Sequence, residues 1–448
     1  MIPRLHPGTR PGPPPRYDRR AIHRGVVHIG VGAFHRAHQA PVFEAALNGG
    51  DARWGITGVS LRSPAVRDSL HPQDGLYTLV EAGGPRCDPR VIGALTRLLV
   101  APEQPAAVVA ALADPATHLV TLTVTEKGYQ PGQGNAADFL ARGLAARRAA
   151  GLAPFTAISC DNLPGNGGRL AAAVLAQVSD PALADWIVRR GAFPETMVDR
   201  IVPATTPRDV AAVAHALGVE DQATVRTEPF WQWVIQDRFA GERPDFPALG
   251  VHLTSDVRPW EQAKLRLLNG AHSAIAYIGG LAGIAFVHEF VADAARRRFI
   301  ETLWHESAST LRLSAGFDLD GYCRALMARF ANPSLPHRTA QIAIDGSQKL
   351  PQRLLAPLRH RAAAGQRSPA LARAVAAWIR CVEVGTLLDD PLAAQLRRAA
   401  ALGDAADRVR AMLALIDPLP LPPSAEAEIV DALAPPPTGS RQVTLEII

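Results

Sequence analysis

The chain has 448 residues, 48% apolar and 20% charged, which is the balance of a soluble globular protein and too long for one compact core. Its formal charge is only +5, and no Lys/Arg-rich block is interleaved with aromatics, so a nucleic-acid-binding surface is excluded. The mild positive balance suits an anionic cofactor or substrate.

Cys87, Cys160, Cys323 and Cys381 lie far apart with no CxxC pair. That argues against a disulfide framework and a zinc site, and predicts a reducing, cytoplasmic setting. Nothing in the sequence specifies an assembly, and a monomer or weak oligomer is expected.

Residues 1–24 are rich in Pro and Arg with no apolar stretch, and predict an irregular arm rather than a secretory signal. Beyond it VVHI (26–29), ITGVSL (56–61), VIGAL (91–95), HLVTLTVT (118–125) and FTAIS (155–159) read as buried strands. Helical patterns such as PVFEAALNGG and AAVVAALADP lie between several of them. This alternation predicts an α/β domain over 25–258, a doubly wound, mostly parallel sheet of the Rossmann type. From Pro259 the texture changes to helical periodicity with few strand signals, so 259–448 is expected to be a mostly α-helical domain. The longest apolar run, from Ala274 to Val287, is too short to cross a membrane and reads as a buried helix.

The first chemical motif follows the first strand, at Gly30, Val31, Gly32, Ala33, Phe34, His35 and Arg36. A strand, a glycine turn and then a helix bring a pyrophosphate onto backbone N–H groups. His35 stands where the usual fingerprint has its third glycine, and Ser60-Leu61-Arg62 ends the second strand where an acid is usual. Arg62 therefore leaves NADP open beside NAD. His28, His35 and His38 suit the approach to this loop better than a tetrahedral metal site, and no metal is expected.

Two further motifs end the fourth and fifth strands, Thr123-Val124-Thr125-Glu126-Lys127-Gly128-Tyr129 and Ser159-Cys160-Asp161-Asn162-Leu163-Pro164-Gly165-Asn166. Carboxyl ends of parallel strands are where such sheets bind ligands. Asn and Gly also serve ordinary turns.

Of the 47 basic residues 44 are arginine, leaving only Lys127, Lys264 and Lys349. A lysine kept against that background is a candidate for losing a proton, which arginine does not do. Lys264 opens the stretch KLRLLNGAH. At 100° per residue, Asn269 lies about 140° and His272 about 80° around from it, so the three can share a helix face. A base, an amide and an imidazole suit alcohol oxidation: the lysine takes the hydroxyl proton while carbon gives up hydride. If continuously helical, the stretch from Arg338 to Lys349 sets Arg338, Gln341, Asp345 and Lys349 within about 80°, a polar stripe for a hydroxylated or carboxylated substrate.

These segments, with MVDRIVPATTP, EPFWQWVIQDRF and RFANPSLPHRTAQIAIDGSQKLPQR, resemble the mannitol dehydrogenase family of polyol-specific long-chain dehydrogenases over roughly residues 25–420. The resemblance implies a Rossmann-type domain, a helical domain and a metal-free site between them. By that resemblance Lys264 is the general base, Asn269 and His272 orient the substrate, and Asn162 or Asn166 is an oxyanion donor. Asp199 and Lys349 are substrate contacts, and Glu126 gates proton exit. Gln341 stands where mannitol-type members tend to carry arginine, so the sequence is more similar to the mannonate/fructuronate branch. Arg338 and Lys349 are then expected to face a carboxylate, with NAD as cofactor and NADP open. A mannitol or arabinitol 2-dehydrogenase is the alternative in class. A sugar-acid-binding protein that has lost catalysis is the alternative outside it.

Overall fold

The computed structural model describes residues 2–13, 15–83, 88–130, 132–314, 316–334, 336–386 and 389–434. The chain forms two compact units, Met1–Val257 and Arg258–Ile448.

The strands of the first unit, in chain order, are β1 (Val26–Ile29), β2 (Ile56–Ser60), β3 (Tyr77–Glu81), β4 (Asp88–Ile92), β5 (Leu95–Val100) and β6 (Leu119–Leu122). They continue with β7 (Thr156–Ser159), β8 (Thr196–Asp199), β9 (Val225–Thr227), β10 (Gln232–Gln236) and β11 (His252–Thr254). β5-β2-β1-β6-β7 make a parallel five-stranded sheet. Every residue of β1, β2, β6 and β7 is buried, as in a sheet covered on both faces. Successive residues feed opposite cores. Val26 joins Phe43, Trp54 and Trp233 on one face, while Val27 joins Val120, Leu140 and Phe155 on the other.

The expected third strand, VIGAL, is corrected. Val91 and Ile92 belong to β4, which pairs antiparallel with β3 in a separate three-stranded sheet. The third strand of the parallel sheet is β5, which begins only at Leu95. Periodicity could not separate a run whose two halves serve different sheets. A third sheet, β11-β10-β8, was not legible in the sequence at all. The first 24 residues are irregular but anchored: Leu5 is fully buried, and its N–H donates to Glu220 O at 2.9 Å.

β1 lies between β2 and β6, so the strand order reverses at the β1/β6 boundary. Ligands bind outside the carboxyl ends of strands at such a switch point.

The second unit is helical. Its central helix, Gly270–Leu281, is buried from Gly270 through Gly279 and packs on Pro369–Glu383 and Thr339–Ala343. The apolar run does not stay helical to Val287: the helix stops at Leu281, and Gly283 takes φ +70° in the turn beyond. Glu306 is buried and its carboxylate accepts the N–H groups of Ala370 and Leu371 at 3.0 and 2.9 Å, capping the Pro369–Glu383 helix from inside. Among the described residues no helix is long and apolar enough to cross a membrane. Cys160, Cys323 and Cys381 are free thiols, while Cys87 lies outside the described residues.

Candidate active site

The glycine turn sits at the switch point. The Gly30 carbonyl accepts from the Gly32 N–H at 2.7 Å and from the Thr123 hydroxyl at 2.7 Å, with His28 Nε2 3.1 Å away. The helix Ala33–His38 starts directly after Gly32 with no side-chain cap, leaving its first N–H groups, at Ala33 and Phe34, for another acceptor. A Cβ at Gly32 would meet only Gly30 O, at 3.8 Å, so the turn has open space above it. This is a cradle that fits a dinucleotide pyrophosphate.

Two expectations about the turn need correction. His28 and His35 do not line an approach: both are fully buried, and their rings stack 3.4 Å apart. The Arg36 guanidinium is spent on carbonyls, Gly32 O at 3.3 Å and Ala223 O, so it braces the turn. Arg62, two residues past β2, is exposed and meets no carboxylate within ion-pair distance among the described residues.

Beside the turn, Thr125 holds φ 64° and ψ 175°, a conformation nearly restricted to glycine. What imposes it is Asp161, to which the sequence pattern alone assigns no role. Its Oδ1 accepts both the Val124 and Thr125 N–H groups at 2.9 Å, and its Oδ2 accepts the Tyr129 hydroxyl at 2.8 Å. Burial pushes the Asp161 carboxyl up, against the pull of those three bonds. Asp161 thus fixes the end of β6 and the short 3-10 turn Glu126–Tyr129 that carries Glu126. The Glu126 and Lys127 side chains lie outside the described residues.

The two asparagines of the next loop separate cleanly. Asn166 is buried and fully engaged: its amide nitrogen donates to Asp161 O and Thr196 O at 3.1 and 3.0 Å, and its oxygen accepts the Thr196 N–H at 3.0 Å. It stitches this loop to β8, which ends at the buried Asp199. Asn162 is exposed. Of the pair, only Asn162 is accessible to a substrate.

In the second unit, Lys264–Asn269 is a π-helical turn, not α-helix. Its i→i+5 bonding sets residues five apart about one turn from each other, so Asn269 comes round close to Lys264's face, nearer than α-helical spacing implies. Lys264 and Asn269 are half-buried. His272, on the α-helix beyond, is buried against the rings of Phe330 and His337 at 4.8 and 5.0 Å. Burial holds its imidazole well below the ordinary range, helped by His337, Arg329 and Arg353, so it is neutral near pH 7.

The polar stripe is also corrected. The helix Thr339–Ala343 ends at Ile344, Asp345 adopts the left-handed region at φ 56°, and a new helix runs Gly346–Leu350. The four residues therefore do not share one helix face. Arg338 precedes the first helix, exposed, with its guanidinium 5.0 Å over the Phe286 ring, and Gln341 is exposed. Lys349 is half-buried, donates to Ile344 O, and is pushed down by burial and by Arg353.

The buried histidines predict acid sensitivity. His28, held down to about 3 by burial, and His35 and His272, held lower than usual by the same cause, stay neutral in the fold. The unfolded chain takes up their protons below about pH 6.5, so stability present at neutrality is lost as pH falls from there. Each such histidine contributes about 1.4 kcal/mol per pH unit in that window. Thermal unfolding should show Tm dropping steeply between pH 7 and pH 5; a flat profile would contradict it.

Comparison with known proteins then fixes the kinship. Residues 24–248 match the mannitol dehydrogenase Rossmann domain and 256–434 match the mannitol dehydrogenase C-terminal domain. The chain belongs to the mannitol dehydrogenase family. It is 41% identical to D-mannonate oxidoreductase of Escherichia coli (strain K12) over 437 residues, 90% of each chain. It is 38% identical to mannitol 2-dehydrogenase of Pyrenophora tritici-repentis (strain Pt-1C-BFP), covering 87% of this chain and 75% of that one. The mannitol 2-dehydrogenase of Pseudomonas fluorescens, solved as a ternary complex with NAD and D-mannitol, superposes with a TM-score of 0.81 at 32% identity over 99% and 98% of the chains. As a mannitol dehydrogenase family member the protein is an oxidoreductase acting on CH–OH groups. Among its described residues no group of three His, Cys, Asp or Glu is arranged to hold a metal ion.

Proposed function

We propose that the protein interconverts D-mannonate and D-fructuronate with NAD, using Lys264 as the base. The observation that carries the mechanism is the π-helical turn that brings Lys264 and Asn269 toward one face, one helical step from a neutral His272. NAD supplies the hydride acceptor for the substrate's carbinol carbon. The Lys264 amine takes the hydroxyl proton, while Asn269, His272 and the accessible Asn162 donate to the forming alkoxide oxygen. Glu126, on the turn that Asp161 holds, passes the lysine's proton onward. Asp199 and Lys349 bind the sugar chain, with Arg338 and Gln341 at the exposed edge.

The fit of a dinucleotide to the Gly30–Gly32 turn supports the cofactor, as does the solved relative that holds NAD. Arg62 carries no acid that would repel a 2′-phosphate, so NADP is the comparison to run. The similarity to D-mannonate oxidoreductase supports the sugar acid, and the free thiols suit a reducing cytoplasm.

The test is a panel of NAD and NADP against mannonate, altronate, mannitol and arabinitol. Mannonate with NAD should exceed mannitol by at least ~10-fold in kcat/KM, the gain of about one charge-assisted contact. Better use of mannitol would replace the sugar acid by a polyol. No turnover of any member would revive a binding protein without catalysis.

A further inference from the structure

Arg353 received no role from the sequence, yet it lies amid the candidate substrate groups of the second unit. It sits on a second π-helical turn, Pro351–Leu355, packed against the Lys264–Asn269 turn. The packing is close: a Cβ at Gly270 would come within 3.2 Å of the Arg353 carbonyl oxygen. Arg353 follows Lys349 by four residues, and its charge depresses both the Lys349 ammonium and the His272 imidazole. So one guanidinium is electrostatically adjacent to two groups that separate motifs supplied.

What sets it apart is sparse bonding combined with its place beside Lys349 and His272. Burial pulls several arginines of this chain down, and most of them make two or more hydrogen bonds. Arg147 donates to the carbonyls of Ala153, Leu112 and Asp114. Arg200 pairs with Glu81 and three backbone contacts, and Arg266 bonds both oxygens of Thr310. Arg353 makes one hydrogen bond, Nη1 to Ser273 Oγ at 3.1 Å, and meets no carboxylate within ion-pair distance among the described residues. A guanidinium offers five N–H donors in a planar fork matched to a carboxylate. A half-buried arginine with most of that fork unused, beside Lys349 and Ser273, is placed to receive an anion that arrives from outside.

Among the described residues three buried polar atoms of the same unit also lack partners: Tyr277 OH, which acts on Arg353, Trp378 Nε1 and Ser347 Oγ. Two of them close on Gly346, where a Cβ would come within 2.8 Å of the tyrosine oxygen and 2.7 Å of the indole nitrogen. The surroundings of Lys349 are thus polar, with hydroxyl and indole groups left to bond and the Asp345 and Asp390 carboxylates acting on the ammonium.

We propose that Arg353 is the carboxylate anchor of the substrate site, receiving the acid group of a sugar acid together with Lys349. This rests on the sugar-acid reading above and supplies its specificity-determining residue. Arg338, stacked on Phe286 at the surface, is not that anchor.

The test uses full-length protein with NADH bound, so that an alcohol substrate forms a dead-end complex and binding is read without turnover. Calorimetric titration of D-mannonate and D-mannitol compares wild type, Arg353→Gln, Arg353→Lys and, as control, Arg373→Gln. Arg373 is half-buried, and among the described residues it makes no ion pair and perturbs neither Lys349 nor His272. Arg353→Gln should weaken mannonate at least ~10-fold, about 1.4 kcal/mol, and mannitol by less than ~3-fold. Arg353→Lys should recover part of the loss, and Arg373→Gln should change neither ratio. Removing an uncompensated cation should leave Tm unchanged or higher. Equal weakening of both ligands by Arg353→Gln, or a lower Tm with the ratio intact, would overturn the anchor and make Arg353 a packing residue. Wild type that binds mannonate through Arg353 yet oxidises only mannitol would leave the anchor standing and refute the proposed reaction instead.

Discussion

Lys264→Ala is expected to remove turnover by ~10²–10⁴-fold, the usual contribution of a positioned general base, while NAD affinity stays within a few-fold of wild type. The cofactor turn is built from β1, β6 and the Ala33–His38 helix, none of which includes residue 264. Lys264→Arg should be nearly as damaging. Guanidinium keeps the charge and most of the length but does not accept the hydroxyl proton at working pH. The pair separates charge from basicity, which alanine alone would not do. The measurement is kcat and KM for mannonate with NAD, alongside calorimetric titration of NAD. An arginine variant with near-normal kcat would mean that residue 264 only positions the substrate and the proton leaves elsewhere. Loss confined to KM would assign Lys264 to uniform binding rather than to the transition state.

The lysine proposed as the base was legible because this chain has nearly abandoned lysine: three remain against 44 arginines. Composition made the signal, and no geometry was needed to see it. The geometry itself was misjudged. An α-helical wheel put Asn269 too far around from Lys264, since no residue pattern announces a π turn, here one packed against the second turn at Pro351–Leu355. The parallel sheet was legible because strands covered on both faces are written as near-continuous apolar runs, as in VVHI and HLVTL. β8 to β11 were not, because they are three to five residues long and partly polar, with neighbours supplied by distant segments. Asp161 and Arg353 went unassigned for one shared reason. Each matters through what it touches, or fails to touch, across the fold, and a lone Asp in a loop or an Arg among 44 carries no mark of that. Asp345 shows the reverse error: its left-handed φ broke a helix that side-chain spacing alone made continuous.

Gly30→Ala should be among the most damaging single-methyl changes in the first unit. Gly30 has φ +97°, and a Cβ there would sit 2.2 Å from the Thr123 carbonyl oxygen and 2.9 Å from its carbon, with Val124 Cγ1 at 3.2 Å. The two Thr123 atoms are backbone of the segment leaving β6, so no rotamer change relieves the clash. The Gly30 N–H also donates to Val59 O at 2.8 Å, and its carbonyl is held from three sides, so the glycine cannot retreat either. The switch point must then open between β1 and β6, where the pyrophosphate cradle lies. The positive φ costs about 1–3 kcal/mol, and overpacking a tight site costs about 1–3 kcal/mol more. Tm should fall by several degrees, and NAD affinity by ~100-fold or more, equivalent to about 2.7 kcal/mol. Gly32→Ala is the control, since its Cβ would meet nothing closer than 3.8 Å. That variant should keep the wild-type Tm and lose NAD affinity only through the methyl's intrusion on the open cradle. Calorimetry of unfolding and of NAD binding on the two variants separates a turn that must be glycine for packing from one that must be glycine for the ligand. A Gly30→Ala protein with wild-type Tm and affinity would show that β1 and β6 are not locked at this point.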